Sequence, residues 1–263
     1  MALGGEARYK ESVGATQIYP MLLIDAGNSA VKFAVVPRAG ANPRPLRSVP
    51  TAKLSAAIAK KTRAKTNSVF VASVVPSASR ILKKAFPSAR FIGPRTALPF
   101  MTWSERKTIG SDRLANVSAA HARYGRNVLV ASFGTAATFD IIDAKGIHRG
   151  GAIAPGWGAF SGILAARTAL LPRIEAKQPV RFAGRNTREA MDAGLSGGYA
   201  AMVSHLIERM KKEAGVKKLR VVFTGGDAPA VARIIRLKAI SDPLLTLRGV
   251  AIIAQGIARE ASK

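Results

Sequence analysis

LLIDAGNSAVKFAVV at residues 22–36 and LVASFGTAATFDIID at residues 129–143 are two versions of one pattern. At a constant offset of 107, Leu22 falls on Leu129, Gly27 on Gly134, Asn28 on Thr135 and Ala30 on Ala137. Each copy is an apolar run, a turn of Gly plus a small polar residue, and a second apolar run. That order predicts a strand, a tight turn and a strand. A turn of this kind presents backbone N–H groups and a hydroxyl or amide side chain, a set of donors suited to a phosphate. Two copies predict two related halves that clamp the phosphates of a nucleotide, with the cleft between the halves as the default active site. The copies differ at their fourth position, which is Asp25 in the first and Ser132 in the second.

Outward from the repeat, strands alternate with helical patterns, which predicts an α/β fold. In the first half the strand pair 21–36 is followed by a Pro- and Arg-rich loop from Pro37 to Pro50 and a helix over 51–64. SVFVASVV at 68–75 reads as a buried parallel strand, followed by a helix over 77–86, a short strand at 90–93 and a loop at 94–110 containing Trp103. A helix over 111–124 ends at Gly125, a natural C-cap. The second half restarts with a strand at 127–133, a hairpin through 138–143 and 147–154, and helices over 157–171, 186–214 (broken near Gly197-Gly198), 228–237 and 247–262. KLRVVFTGG supplies a parallel strand running into a Gly-Gly turn. The division expected is 21–124 for the N-terminal domain and 125–263 for the C-terminal one, with residues 1–20 a poorly ordered extension before Met21.

Composition narrows the class. The 263 residues are 48% hydrophobic, which suffices for one large or two modest cores. Cysteine is absent, which excludes disulfides and thiolate metal sites. His121, His148 and His205 are widely spaced and read as isolated surface or core residues rather than a metal cluster. There is no apolar run of bilayer length and no secretory pattern, so the expectation is a cytoplasmic protein without membrane contact. The net charge of +26 favours polyanions, but the basic residues are scattered as pairs such as Lys83-Lys84 and Lys211-Lys212. No specific nucleic-acid recognition is expected from that scatter, only salt-sensitive attraction.

With 15 acids in so basic a chain, acids inside apolar motifs stand out. Burying Asp25 unpaired would cost several kcal/mol, so a metal ion, a Lys or turn N–H groups must compensate. Gly27, Asn28, Ser29 and Lys32 follow it at phosphate-loop spacing; Asp25 can equally cap the turn through its own backbone. Asp112, in IGSDR at 109–113, is either a first-turn acid interacting with the helix dipole or a reactive carboxylate. Arg113 beside it suits a carboxylate or phosphate, or is plain surface charge. Asp140 alternates with apolar neighbours and faces either a cleft or solvent, while Asp143 starts the hairpin turn. Gly225-Gly226-Asp227 suits close approach of a base or ribose, or is an ordinary strand-to-helix turn. Neither a dinucleotide glycine fingerprint nor a Walker A sequence is present.

IDAGNSAVK (24–32), GSDR (110–113), FGTAATFD (133–140), GGAIAPG (150–156), RNTREAMDAGLSGG (185–198) and FTGGD (223–227) together resemble type III pantothenate kinase. This family belongs to the acetate and sugar kinase/Hsp70/actin superfamily, and the likeness lies nearest its Bvg accessory factor branch. The resemblance implies two similar actin-like (RNase H-like) domains, each a mixed sheet flanked by helices. It implies transfer of the ATP γ-phosphoryl group to the primary hydroxyl of pantothenate, the first step of coenzyme A biosynthesis. Carried over, Asp25, Ala26, Gly27, Asn28, Ser29, Ala30, Val31 and Lys32 form the phosphate loop, with Asp25 serving Mg²⁺ through the phosphates. Thr135 contacts ATP; Gly110, Ser111, Asp112 and Arg113 hold pantothenate, with Asp112 as general base. Thr187 and the wall at Trp103 complete the acceptor site, which in this family is built across a homodimer. There are two departures. Ser132 stands where the family has the Asp that binds K⁺ or NH₄⁺, which implies weakened cation dependence, and Trp103 stands where the family usually has Tyr. The alternative reading is a catalytically weakened relative kept for regulation or ligand binding.

Overall fold

The computed structural model describes residues 18–62, 66 and 68–260. Two compact units emerge. One takes the chain up to Met101, Glu105–Gly125 and everything from Leu244 onward; the other takes Thr102–Ser104 and Arg126–Pro243.

In unit 1 the strands are β1 (Met21–Ala26), β2 (Ala30–Val36), β3 (Arg44–Pro50), β4 (Ser68–Ser73) and β5 (Arg90–Phe91), in sheet order β3-β2-β1-β4-β5. β1 pairs antiparallel with β2 and parallel with β4, so it is buried on both faces and reads as an apolar run interrupted by Asp25. Its side chains alternate. Met21 and Leu23 join Phe70, Ala72, Ala115, Val250 and Ala254 under two helices, α3 (Ser111–Tyr124) and α8 (Leu245–Glu260). Leu22 and Ile24 join Phe33, Leu54, Ala59 and Leu82 on the other face, under α1 (Ala56–Lys61) and α2 (Pro76–Ala85). α3 and α8 approach closely at Gly249, where a Cβ would lie 1.8 Å from the Ala115 carbonyl oxygen.

In unit 2 the strands are β6 (Val128–Phe133), β7 (Ala136–Ile142), β8 (His148–Pro155), β9 (Arg220–Thr224) and β10 (Ile240–Ser241), in sheet order β10-β9-β6-β7-β8. This is the order of unit 1 repeated, with an antiparallel β6-β7-β8 meander and a parallel β6-β9-β10 wing. Helices α4 (Trp157–Arg167), α5 (Thr187–Met191), α6 (Gly198–Glu213) and α7 (Ala228–Ile234) accompany it. Leu129, Ala131, Phe133 and Phe139 pack against Tyr199, Val203, Ile207 and Val231. A π-helical stretch, Asp192–Gly197, joins α5 to α6 where a helix break was expected.

Several expectations change. The loop read at 37–50 contains β3, whose Pro45 and Pro50 are tolerated because the strand lies at the sheet edge. The helix read at 51–64 is one turn at Thr51–Lys53 and then α1, restarted by the Ser55 hydroxyl, which accepts the Ile58 N–H at 3.3 Å. α8 belongs to unit 1 rather than to a C-terminal domain at 125–263, because its apolar face covers α3, β1 and β4. Of the extension at 1–20, residues 1–17 lie outside the described residues. Tyr19 is buried in the unit 1 core, and its hydroxyl accepts from Gln255 Nε2 at 2.7 Å.

Candidate active site

Asp25 follows Met21 and Leu23 on the α3 side of β1, at the strand's last turn before Gly27. It is 9% exposed, and Lys32 stands directly opposite on β2. Burial pushes its carboxyl up from 3.8 to about 6; the Lys32 charge pulls it down, and the charge of Asp112 raises it further. The turn itself is closed by the Gly27 N–H donating to the Ala30 carbonyl at 3.1 Å, with Asn28 and Ser29 exposed at its tip. A residue the sequence reading overlooked ties it down. The Thr51 hydroxyl donates to the Gly27 carbonyl at 2.7 Å, and the Thr51 N–H donates to the Ser29 carbonyl at 3.1 Å. The Pro50-Thr51 step at the end of β3 was the only cue, and it was absorbed into the loop and helix read there.

Asp112 lies in the first turn of α3, where the helix dipole favours a carboxylate. Its Oδ1 accepts the Arg113 backbone N–H at 2.8 Å. Gly110 makes room for it, since a Cβ at Gly110 would meet that Oδ1 at 2.5 Å. Ser111 is buried with no hydrogen-bond partner for its hydroxyl, and Arg113 is half-buried beside it. Unit 1 therefore gathers Asp25, Ala26, Gly27, Asn28, Ser29, Ala30, Val31, Lys32, Gly110, Ser111, Asp112 and Arg113, with the two carboxylates close enough to feel each other's charge.

The second turn is one residue tighter than the first. Ala26 pairs with Val31 across the first hairpin, but Phe133 pairs with Ala137 across the second, and Gly134 N–H bonds to the Ala136 carbonyl at 3.1 Å. The constant offset of 107 therefore fails past the turn, and Ala30 corresponds to Ala136 rather than Ala137. A one-residue slip moves every following side chain to the other face. Hence Ser132 faces Thr138 where Asp25 faces Lys32, and the carboxylate and its cation are lost together. β9 places Thr224 on the other side of Ser132, so three hydroxyls share one sheet face. Thr135 is exposed at the turn tip. The Asp227 N–H donates to the Phe133 carbonyl at 3.0 Å, holding the Gly225-Gly226 turn against this same hairpin.

Trp103 sits in a three-residue strap, Thr102–Ser104, that belongs to unit 2. Its indole is 68% exposed, and the Arg149 guanidinium carbon lies 3.2 Å from the ring centroid. Thr187 is exposed at the start of α5, whose N-cap Asn186 Oδ1 accepts the Glu189 N–H at 2.9 Å. Asp140 faces neither cleft nor solvent: it is buried, 2.9 Å from His148 Nε2. His148 is thus a core histidine with a partner. Asp143 does start the hairpin turn, accepting the Lys145 and Ile147 N–H groups at 2.8 and 2.9 Å. Burial works to raise its carboxyl, but these bonds and Arg149 outweigh it and hold it below the usual range.

Among the described residues no group of three His, Cys, Asp or Glu forms a metal cage, and no helix is long and apolar enough to cross a membrane. A single buried carboxylate beside a phosphate-type turn fits Mg²⁺ that arrives with its nucleotide, since Mg²⁺ keeps its waters and takes one or two carboxylates plus substrate phosphates.

Among solved structures, the chain resembles a Baf family protein from Campylobacter jejuni (TM-score 0.62, 23% identity, 90% of this chain and 99% of that one). It also resembles the ethanolamine utilization protein EutJ from Carboxydothermus hydrogenoformans (TM-score 0.54, 12% identity, 88% and 89%). These likenesses speak to the fold, the two similar actin-like domains expected from the sequence. The type III pantothenate kinase of Methylacidiphilum infernorum is 35% identical over 240 residues, covering 89% of this chain and 88% of its own. That of Moorella thermoacetica is 40% identical over 192 residues, covering 70% and 75%. A model of the same family matches residues 21–209, and the chain belongs to the type III pantothenate kinase family.

Proposed function

We propose that this chain transfers the γ-phosphoryl group of ATP to the primary hydroxyl of pantothenate, giving 4′-phosphopantothenate, the first step of coenzyme A biosynthesis. The observation that carries this reading is the pair Asp25 and Asp112, one buried at the phosphate-type turn and one at a helix start, each within the other's field. Phosphoryl transfer needs positioning, charge neutralisation and one carboxylate at the attacking hydroxyl. Asp112 receives the hydroxyl proton, while Gly110, Ser111 and Arg113 seat the acceptor and Thr187 and Trp103 bound it. The N–H groups of the 25–32 turn and Lys32 hold the phosphates, with Thr135 contacting the nucleotide. Mg²⁺ bound with ATP would screen the phosphate charge, and Asp25 would hold its water shell. A coupled ADP-release assay with and without pantothenate tests the reading, and turnover that ignores pantothenate in both K⁺ and NH₄⁺ buffers would sink it.

Ser132 carries an expectation about K⁺ and NH₄⁺. The hydroxyls of Ser132, Thr138 and Thr224 add no negative charge, and hydroxyls alone hold a monovalent ion weakly. Activity is therefore expected to change no more than about twofold when KCl replaces NaCl at fixed ionic strength. A strong, saturable K⁺ requirement would overturn it.

We also infer a homodimer through unit 2. α4 is apolar around most of its circumference, as a covered helix is, yet Ile163 is 49% exposed. Ile153 on edge strand β8, and Leu170, Val180 and Phe182 beyond α4, are exposed as well. So many uncovered large apolar side chains mark an association surface. Sedimentation velocity at micromolar concentration is expected to give a dimer; a monomer there would remove this inference.

A further inference from the structure

Three consecutive residues of β8, His148, Arg149 and Gly150, lie against the three residues of the strap. The Thr102 hydroxyl is 2.8 Å from His148 Nδ1, and the Trp103 N–H donates to the His148 carbonyl at 3.0 Å. The Arg149 guanidinium covers one face of the Trp103 indole, and Arg149 Nε donates to Asp143 Oδ2 at 2.5 Å. Gly150, at φ of 113°, leaves space for Ser104, whose Oγ would lie 3.2 Å from a Cβ there.

The hydrogen bonds set the direction of the chain of partners. An ionised Asp140 only accepts, so His148 Nε2 carries the hydrogen toward it. In the neutral imidazole His148 Nδ1 is then an acceptor, and the Thr102 hydroxyl donates to it. The Thr102 oxygen in turn accepts the Ser104 N–H at 3.1 Å, which closes the strap on itself. His148 and Asp140 are both almost wholly buried, so the foundation is rigid and dry. Burial strengthens the Asp140–His148 bond relative to one in water. Trp103, by contrast, keeps most of its surface open. A buried Asp–His pair that ends on an exposed aromatic residue is elaborate for a surface loop; a loop could be held by backbone bonds alone.

We propose that Asp140, His148 and Arg149 are positioning residues that fix the Trp103 indole as a wall of the acceptor-substrate site and so set affinity for pantothenate. This rests on the reading of Trp103 as an acceptor contact in the proposed kinase. Arg149 orients the indole by stacking on one face and leaves the other for substrate; face-on stacking of this kind is open to a planar guanidinium and not to a lysine ammonium. None of the three needs to touch the reacting atoms.

The test uses the intact chain and begins at Thr102, whose substitution leaves the buried Asp140–His148 pair in place. Thr102→Val is expected to raise KM for pantothenate about tenfold, the loss of one part-buried hydrogen bond. KM for ATP and kcat should stay near wild type, and Thr102→Ser should restore pantothenate KM. Arg149→Met, which keeps the stem and loses the plane, is expected to act in the same direction. A second readout needs no substrate. Trp103 and Trp157 are the two tryptophans, so Trp157→Phe leaves Trp103 as the sole reporter. In that background Thr102→Val and Arg149→Met should each increase acrylamide quenching of Trp103, and Thr102→Ser should not. Unchanged quenching overturns the positioning role, and changed quenching with unchanged pantothenate KM overturns the specificity role. If the wild type turns over no pantothenate, the kinase reading fails instead, and the quenching arm still decides whether the strap is held as described.

Discussion

Asp112→Asn is expected to lower kcat with pantothenate by about 10²–10⁴-fold, the range for losing a general base. The substitution is nearly isosteric. Its amide oxygen still accepts the Arg113 N–H that Asp112 Oδ1 now takes at 2.8 Å, so the start of α3 and the fit above Gly110 persist. Only the capacity to take a proton, and the charge, are removed. The lost interaction with the helix dipole costs about 0.3–1 kcal/mol, so the variant stays folded. KM for pantothenate should change far less than kcat, because Gly110, Ser111 and Arg113 remain to bind it. Steady-state kinetics checks this, and a variant that keeps a tenth or more of wild-type kcat would exclude Asp112 as the base. A side effect follows from the charge coupling. The Asp112 charge helps hold the Asp25 carboxyl up at about 6, so the acid limb of any nucleotide-dependent step should move to lower pH in the variant.

Asp25→Asn is expected to make the protein inactive and more stable at once. In the folded chain burial, the largest cause, lifts the Asp25 carboxyl from 3.8 to about 6. The fold thus prefers the protonated form. Its contribution is fully present below pH 3.8 and is lost as pH rises to about 6. Above that, the ionised group costs about 3 kcal/mol, at 1.36 kcal/mol for each pKa unit. Asn removes the charge and should recover much of this near neutrality, a Tm gain of roughly 2–4 °C per kcal/mol for a chain of this size. The same change should lower kcat/KM for MgATP by about 10²-fold or more, on the scale of losing a preorganised electrostatic contact. For the wild type, kcat/KM for MgATP should fall as pH drops through about 6, when Asp25 takes up its proton. Thermal melts at pH 4.5 and 7.5 beside the kinetics decide it. A variant less stable than wild type at the higher pH, or one with near-normal activity, would refute the assignment.

Much of this was legible from the sequence, for physical reasons that differ between residues. β1 is apolar on both faces, and only one acid interrupts it, so the strand and Asp25 were both visible. α3 starts at Ser111 and stops at Gly125, whose φ of 76° is the conformation a helix-ending Gly supplies, so its bounds were readable to the residue. β3 was hidden because Pro45 and Pro50 speak against a strand unless its edge position is known. The slip between the two hairpins was hidden because a one-residue difference in turn length leaves composition unchanged, while register decides which side chain meets Ser132. Thr51 and the His148–Asp140 pair depend on partners 24 and 8 residues away, a distance at which local pattern carries no signal. α8 was assigned to the wrong half because periodicity tells that a helix has an apolar face, not which sheet will cover it.

The return of α8 to unit 1 imposes an order on synthesis. Unit 2's main stretch, Arg126–Pro243, is continuous and can close as soon as it leaves the ribosome. Unit 1 cannot close, because until Leu245–Glu260 emerges the side of its sheet carrying Leu23 and Phe70 and the flank of α3 at Ala115 stay uncovered. At about 5–20 residues per second, the half translated first waits on the order of ten seconds for its last helix. During that interval the exposed apolar surface is the part of the nascent chain that a chaperone would bind. A stop codon at Leu244 or Leu245 would leave the first unit unfinished while sparing the second, so loss of one late helix would disable residues encoded well before it.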